Sequence, residues 1–323
     1  MKIVFMGTPD FATETLKAVI QAGHEVAAVV TQPDRPVKRS KKPVYSPVKE
    51  IAVELGLTVL QPEKARDPEL VETIRSVSPD AIVVVAYGQI LSKDLLDIPR
   101  FGCINVHASL LPKYRGASPI QWAVINGDEY SGVTTMLMEE GLDTGDILLV
   151  EKVKLDPKET GGSLFDRLSS VGADLLVKTL EELEKGGIHP VKQDEDKASL
   201  VKMLNKKMGE LDFTRPALEL ERLIRGLNPW PSAYTHLGNK KLTIWAADVI
   251  DPESEPESKD KFKNVCPGQI ADMRKNSFDI ACIESNGAVS GLRVTEVQLE
   301  GKKRMKVGDF LNGKALKLGD KLI

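Results

Sequence analysis

Cysteine is scarce: Cys103, Cys266 and Cys282 are the only three in 323 residues, an odd and scattered set with no C-x-x-C pairing. That argues against a disulfide framework and supplies no zinc-ligand spacing. No window approaches the ~18 uninterrupted apolar residues of a membrane-spanning helix, so no membrane partner is expected. The opening run MKIVFMGTPDFA lacks the charged, apolar and small-residue succession of a signal peptide, and it is not an Arg-rich amphipathic presequence. The protein is expected to stay where it is made, in a reducing cytoplasm. Neither sign of charge dominates: 44 Lys and Arg stand against 47 Asp and Glu, a net charge of -3, which argues against a wholly basic nucleic-acid binder. Histidine is rare too, at four residues.

What is present is an ordinary globular composition, 41% hydrophobic and 28% charged with a mean hydropathy of -0.18, in a chain long enough for two domains. The charge is uneven. Residues 1–205 hold 24 basic and 30 acidic side chains, whereas residues 206–323 hold 20 and 17. One stretch, RPVKRSKKPVYSPVK (35–49), is basic without a single acid and includes Arg35, Lys38, Arg39, Lys41, Lys42 and Lys49. Such a run is either a solvated charged loop or a nucleic-acid footprint.

Short β-branched runs alternate with helical patterns through the first half: KIVFMG, a helix on Phe11, Leu16, Val19 and Ile20, then EVAAVVT. This rhythm predicts a doubly wound, Rossmann-like, mostly parallel sheet, with DAIVVVAYG (80–88) as its central strand. Ser46-Pro47 and Asp67-Pro68 each read as a helix start. A long amphipathic helix is predicted over 163–187. Residues 189–208 lose the rhythm and read as a linker between a catalytic domain (1–188) and a second domain (209–323). After one helix, the second domain carries short strands separated by turn residues, which predicts a small antiparallel β-barrel, OB-like in character. The acidic insertion DPESEPESKDK (251–261) reads as a disordered surface loop.

Three segments could carry chemistry. Gly7-Thr8-Pro9-Asp10 occupies the place of a dinucleotide fingerprint, but no G-x-G-x-x-G can be drawn, so a nucleotide cofactor is disfavoured and a tight strand-to-helix turn is expected. In INVHASLLPKYRGASPIQW (104–122), Asn105 and His107 are two apart on a strand and share one side, at the carboxyl end where open α/β sheets bind ligands. A strand histidine is commonly a satisfied structural residue; this one has an amide donor beside it. His24, His189 and His236 read as structural or surface residues. In Gly141-Leu142-Asp143-Thr144-Gly145-Asp146, Asp143 is either a turn residue with an Asx-type bond or a carboxylate that fixes the His107 tautomer. Asn and His together can donate to a carbonyl oxygen as it becomes negative. No protein nucleophile stands out: the serines lack a G-x-S-x-G context and Cys103 reads as core. Group transfer between two bound substrates follows.

These motifs, GTPDFA, TQPDRP, SPVK, INVHASLLPKYRGASPIQ, GLDTGDIL, ELDF and NPWPSAYT, resemble the folate-dependent formyltransferase superfamily nearly end to end. The Asn-x-His, SLLP and LDTGD segments are shared with relatives that formylate glycinamide ribonucleotide or sugar nucleotides. TQPDRP with the basic loop, the ELDF to NPWPSAYT segment and the barrel domain resemble the tRNA-acting branch. The chain departs from the pattern in a more basic connector and in the acidic insertion, neither of which touches the chemistry.

The resemblance implies formylation of the amine of initiator methionyl-tRNA by the co-substrate 10-formyltetrahydrofolate, without a metal, in a bacterial cytoplasm, by a monomer. It implies Asn105, His107 and Asp143 as the catalytic trio. It places the folate along Ser109, Leu110, Leu111 and Pro112 and along Ala86, Tyr87, Gly88, Gln89 and Ile90, and the tRNA acceptor arm against Arg35, Lys38, Arg39, Lys41 and Lys42. A sugar-nucleotide or glycinamide-ribonucleotide formyltransferase would need the trio but neither the loop nor the barrel. A catalytically idle RNA-binding module would need the loop but not the trio.

Overall fold

The computed structural model describes residues 1–36, 43–250, 255, 261–313 and 316–323. Of the basic run, Lys38, Arg39, Lys41 and Lys42 lie outside the described residues, as does nearly all of the acidic insertion. Two compact units emerge: residues 1–119, 130–154 and 164–202 form the first, and residues 120–129, 155–163 and 203–323 the second. Residues 189–202 of the expected linker therefore belong to the first unit.

In chain order the first unit opens with β1 (Lys2–Gly7), α1 (Phe11–Gln21), β2 (Glu25–Val30) and a short hairpin, β3 (Arg35–Pro36) and β4 (Pro43–Val44). There follow α2 (Pro47–Glu54), β5 (Val59–Leu60), α3 (Pro68–Val77), β6 (Ala81–Val85), α4 (Lys93–Leu96), β7 (Cys103–His107) and β8 (Arg115–Gly116). After α5 (Pro119–Ile125), which falls almost wholly in the second unit, come β9 (Tyr130–Leu137), β10 (Ile147–Lys154), α6 (Gly161–Lys185) and β11 (Leu200–Val201).

The main sheet has the order β10-β9-β7-β6-β1-β2-β5, with β6 in the middle as its uninterrupted apolar sequence predicts. The β5 to β7 side is parallel, and β9 and β10 join it antiparallel. Both faces are covered. Val4, Met6, Ile82 and Val84 pack with Leu70, Val71 and Ile74 of α3 on one face. On the other, Phe11 of α1 meets Phe165 of α6 edge-on at 5.4 Å, and the Ser169 hydroxyl donates to the Phe11 carbonyl at 3.1 Å. Gly7 ends β1 where a Cβ would come within 2.8 Å of the Ala12 Cβ, so close packing at the turn demands glycine. Ser46 caps α2 by accepting from the Lys49 amide, with Pro47 at the first helical position.

The second unit sets α7 (Ala217–Gly226) against an antiparallel sheet formed by β12 (Ala233–Leu237), β13 (Lys240–Ile250), β14 (Ile270–Arg274), β15 (Ser277–Ile283), β16 (Val289–Leu299) and β17 (Met305–Lys306), followed by α8 (Val307–Asn312). Its order is β12-β13-β16-β15-β14, with β17 on β16. Segment 319–323 bonds to both edges: the Ile270 amide donates to the Asp320 carbonyl, and the His236 amide donates to the Ile323 carbonyl. These bonds bridge the two edge strands into the barrel-like closure that the sequence predicts, which removes an exposed edge. Leu220, Leu223 and Ile224 of α7 share one apolar core with Ile244, Phe278, Leu292 and Val294.

Candidate active site

Strand β7 delivers Asn105 and His107 to the carboxyl end of the sheet on the same side, next to the β6 terminus. His107 is buried. Its Nε2 lies 2.9 Å from the Tyr114 carbonyl, and because a carbonyl can only accept, Nε2 carries the hydrogen. The other ring nitrogen, Nδ1, faces Asp143 Oδ2 at 3.7 Å, beyond hydrogen-bond length but within ion-pair reach. With Nε2–H committed to that carbonyl, Nδ1 is the ring nitrogen that stands beside a carboxylate. The Asn105 carboxamide makes no hydrogen bond to a described residue and is free to donate.

Asp143 is fixed from three directions. Its Oδ2 accepts from the Gly116 amide at 2.7 Å, its backbone is left-handed at φ 53°, and its carbonyl accepts from Gln193 Nε2 at 2.8 Å. Asp is among the few residue types that adopt this region at low cost. Gly145, two residues on, sits where a Cβ would strike the Leu137 carbonyl, so that turn admits no side chain. Ala86, Tyr114 and Ser118 are likewise left-handed, at φ 47°, 62° and 62°, which concentrates unfavourable backbone in the loops around these strand ends.

Residues 193–201 hold the 114–117 and 143–145 loops. The amides of Arg115 and Ala117 donate to the carbonyls of Ser199 and Val201, as β8 pairs with β11. The Tyr114 amide donates to the Ser199 hydroxyl at 2.9 Å. The buried Arg115 guanidinium forms a paired contact with Glu195 at 2.8 and 2.7 Å, and this holds the Glu195 carboxyl below the usual carboxylate range.

Residues expected along the folate are placed unevenly. The Ser109 hydroxyl is buried and donates to the Lys113 carbonyl, while Thr134 braces the same loop by donating to the Ser109 carbonyl and accepting from the Leu111 amide. Leu111 is buried; Leu110 and Pro112 are half-buried. Tyr87 packs in the core; burial pushes its phenol up to about 12, and its hydroxyl has no partner among the described residues. Ala86, Gly88 and Ile90 are exposed, Ile90 at 81%. Gln89 joins the loop to its surroundings, accepting from the Ala65 amide and donating to Gln32.

A cavity of about 800 Å³ lies beside residues 86–89, walled by Thr8 to Asp10, Gln32, Pro33, Arg35 and Val44 to Pro47. Its described lining includes neither the trio nor Ser109 to Pro112. Of the basic run, Arg35 reaches this wall, whereas Lys49 is engaged elsewhere: its Nζ meets Asp34 at 2.5 Å and Gln61 at 2.6 Å. Thr8 and Gln32 both donate to the Tyr87 carbonyl. Among the described residues, no group of three or more His, Cys, Asp or Glu side chains is placed to hold a metal ion, and no helix is long and apolar enough to cross a membrane.

Residues 1–180 match the family Formyl transferase, and residues 203–315 match Formyl transferase, C-terminal domain. The chain belongs to the formyl transferase family. It is 65% identical over 319 residues to the methionyl-tRNA formyltransferase of Lachnospira eligens, covering 99% of this chain and 98% of that one. It is 46% identical to the methionyl-tRNA formyltransferase of Clostridioides difficile, at 99% of each. Among solved structures it shares the fold of WlaRD, a sugar 3N-formyl transferase, with a TM-score of 0.65 at 16% identity over 94% of this chain and 99% of that one.

Proposed function

We infer that this chain transfers the formyl group of 10-formyltetrahydrofolate to the amino group of methionyl-tRNA, and that the initiator tRNA is its acceptor. The observation that carries this reading is end-to-end identity of 65% with a methionyl-tRNA formyltransferase, in a chain with Asn105 and His107 on one strand and the Asp143 carboxylate beside the His107 ring. The reaction needs a base for the amine and donors for an oxyanion, and the site supplies both.

The amine attacks the formyl carbon, and the carbonyl oxygen becomes negative. Asn105, whose amide is uncommitted, donates to that oxygen. His107 takes the amine proton at Nδ1, where the neighbouring Asp143 carboxylate stabilises the imidazolium, and the new Nδ1–H then adds a second donor beside the oxyanion. Collapse breaks the bond from the formyl carbon to folate N10, which takes the proton held at His107 Nδ1 and so returns the ring to its neutral form. The folate lies along the loops 86–90 and 109–112. Residues 1–188 carry the chemistry, and Arg35, Lys38, Arg39, Lys41 and Lys42 receive the acceptor arm, with residues 209–323 adding a basic surface. The protein acts as a monomer in a bacterial cytoplasm.

Purified chain supplied with 10-formyltetrahydrofolate and a panel of acceptors tests this reading. Formylation of methionyl initiator tRNA, with little transfer to methionyl elongator tRNA, free methionine or an amino-sugar nucleotide, is expected. Transfer to the amino-sugar nucleotide without transfer to tRNA would overturn it.

A further inference from the structure

The Gln193 carboxamide bonds to both loops flanking the His107 ring. Its Nε2 donates to the carbonyls of Asp143 and Gly145, each at 2.8 Å. Its Oε1 accepts from Arg115 Nε at 3.1 Å and Nη2 at 2.9 Å. Arg115 follows Tyr114, whose carbonyl holds His107 Nε2, and Asp143 faces Nδ1. Both ends of the amide are therefore spent, each on the loop that controls one nitrogen of the same imidazole.

We propose that Gln193 is a positioning residue for the transfer reaction, setting the Asp143 carboxylate against His107 by tying the 143–145 turn to the 114–115 loop. This rests on the reading of Asn105, His107 and Asp143 as the catalytic trio. The residue type matters because only an amide offers donors at one end and an acceptor at the other in a single plane. Glutamate has the same shape and keeps the acceptor for Arg115, but turns an oxygen toward two carbonyls. A left-handed, surface-proximal turn deprived of its two N–H donors drifts, and a displacement of about 1 Å in a catalytic group can cost on the order of 10²-fold in rate.

The test compares kcat and KM for both substrates, with thermal melting, in wild type, Gln193→Glu, Gln193→Ala, Asp143→Asn and the Gln193→Glu/Asp143→Asn double variant. Gln193→Glu is expected to lower kcat at least ~10-fold while each KM stays within ~3-fold and the melting transition is kept. Because it acts through Asp143, the double variant is expected to be no slower than Asp143→Asn alone, whereas a merely structural role would multiply the two losses. Gln193→Ala should fall in the same direction. Wild-type kcat in both Gln193 variants, multiplicative losses in the double variant, or activity lost only together with folding would overturn the proposal. If Asp143→Asn itself keeps wild-type turnover, the trio reading fails instead, whatever Gln193 does.

Discussion

His107 is held to the Tyr114 backbone carbonyl through Nε2 at 2.9 Å, so the chain itself selects which imidazole nitrogen faces the site's carboxylate. Nδ1 is that nitrogen, and Asp143 stands 3.7 Å from it. In the proposed mechanism this arrangement separates two tasks, orientation by a neutral carbonyl and stabilisation of an acquired proton by a carboxylate.

Asp143→Asn tests the second task. Asparagine can still accept the Gly116 amide through its Oδ1 and still tolerates a left-handed backbone, so the fold should survive. It cannot stabilise an imidazolium, and kcat should fall about 10²-fold or more. Circular dichroism and melting beside a formylation assay separate this from unfolding; loss of activity only with loss of the melting transition would make Asp143 a turn residue.

The basic run should divide into two classes of lysine. Replacing Lys38, Lys41 and Lys42 together by neutral residues should raise KM for methionyl-tRNA and flatten its salt dependence, by about 0.7 to 0.9 in slope per lost phosphate contact, with little change in folate affinity. Arg39→Ala should lower kcat as well if it helps seat the 3′ end. Lys49→Met should behave differently, because its ammonium is consumed by Asp34 and Gln61: melting temperature drops while the salt slope stays. Kinetics at several salt concentrations decide between them.

The second unit carries its own pH signature. Glu255 pairs with Arg293 at 2.6 and 2.9 Å and with Arg274 at 2.9 Å. The Arg293 guanidinium holds the Glu255 carboxyl down to about 2, against desolvation, which pushes it up, and with help from Arg274. A carboxyl depressed on folding stabilises above its ordinary value of 4.5 and loses that contribution as pH falls toward about 2. The melting temperature of Glu255→Gln should therefore lie below wild type at pH 7, and the gap should narrow between pH 4.5 and 2. A gap of constant size across that range would show that the pair contributes no pH-linked stability.

The parts of this molecule that were readable from sequence are those where one physical demand acts locally. The continuous apolar run AIVVV reads as a central parallel strand because both of its faces are buried, and Ser46-Pro47 reads as a helix start because cap and ring constraints act within three residues. That Asn105 and His107 share one side of a strand was legible through alternation. The brace was not: Gln193 reaches Asp143 across 50 residues and Arg115 across 78, from a polar stretch whose composition matches any connector. Lys49 sits in the same basic run, and nothing in that run marks that its ammonium is paired with Asp34. Closure of the barrel by 319–323 rests on backbone hydrogen bonds, which leave no residue pattern to read.

Single-turnover formylation of methionyl-tRNA by Asn105→Ala and His107→Ala, with enzyme saturated in 10-formyltetrahydrofolate and tRNA binding measured in parallel, bears most directly on the account. Each variant should bind tRNA nearly as wild type does and react about 10²- to 10³-fold more slowly, the ~2.7–4 kcal/mol of barrier associated with loss of one oxyanion donor. Wild-type rates in either variant would contradict the assignment of the chemistry to this strand end.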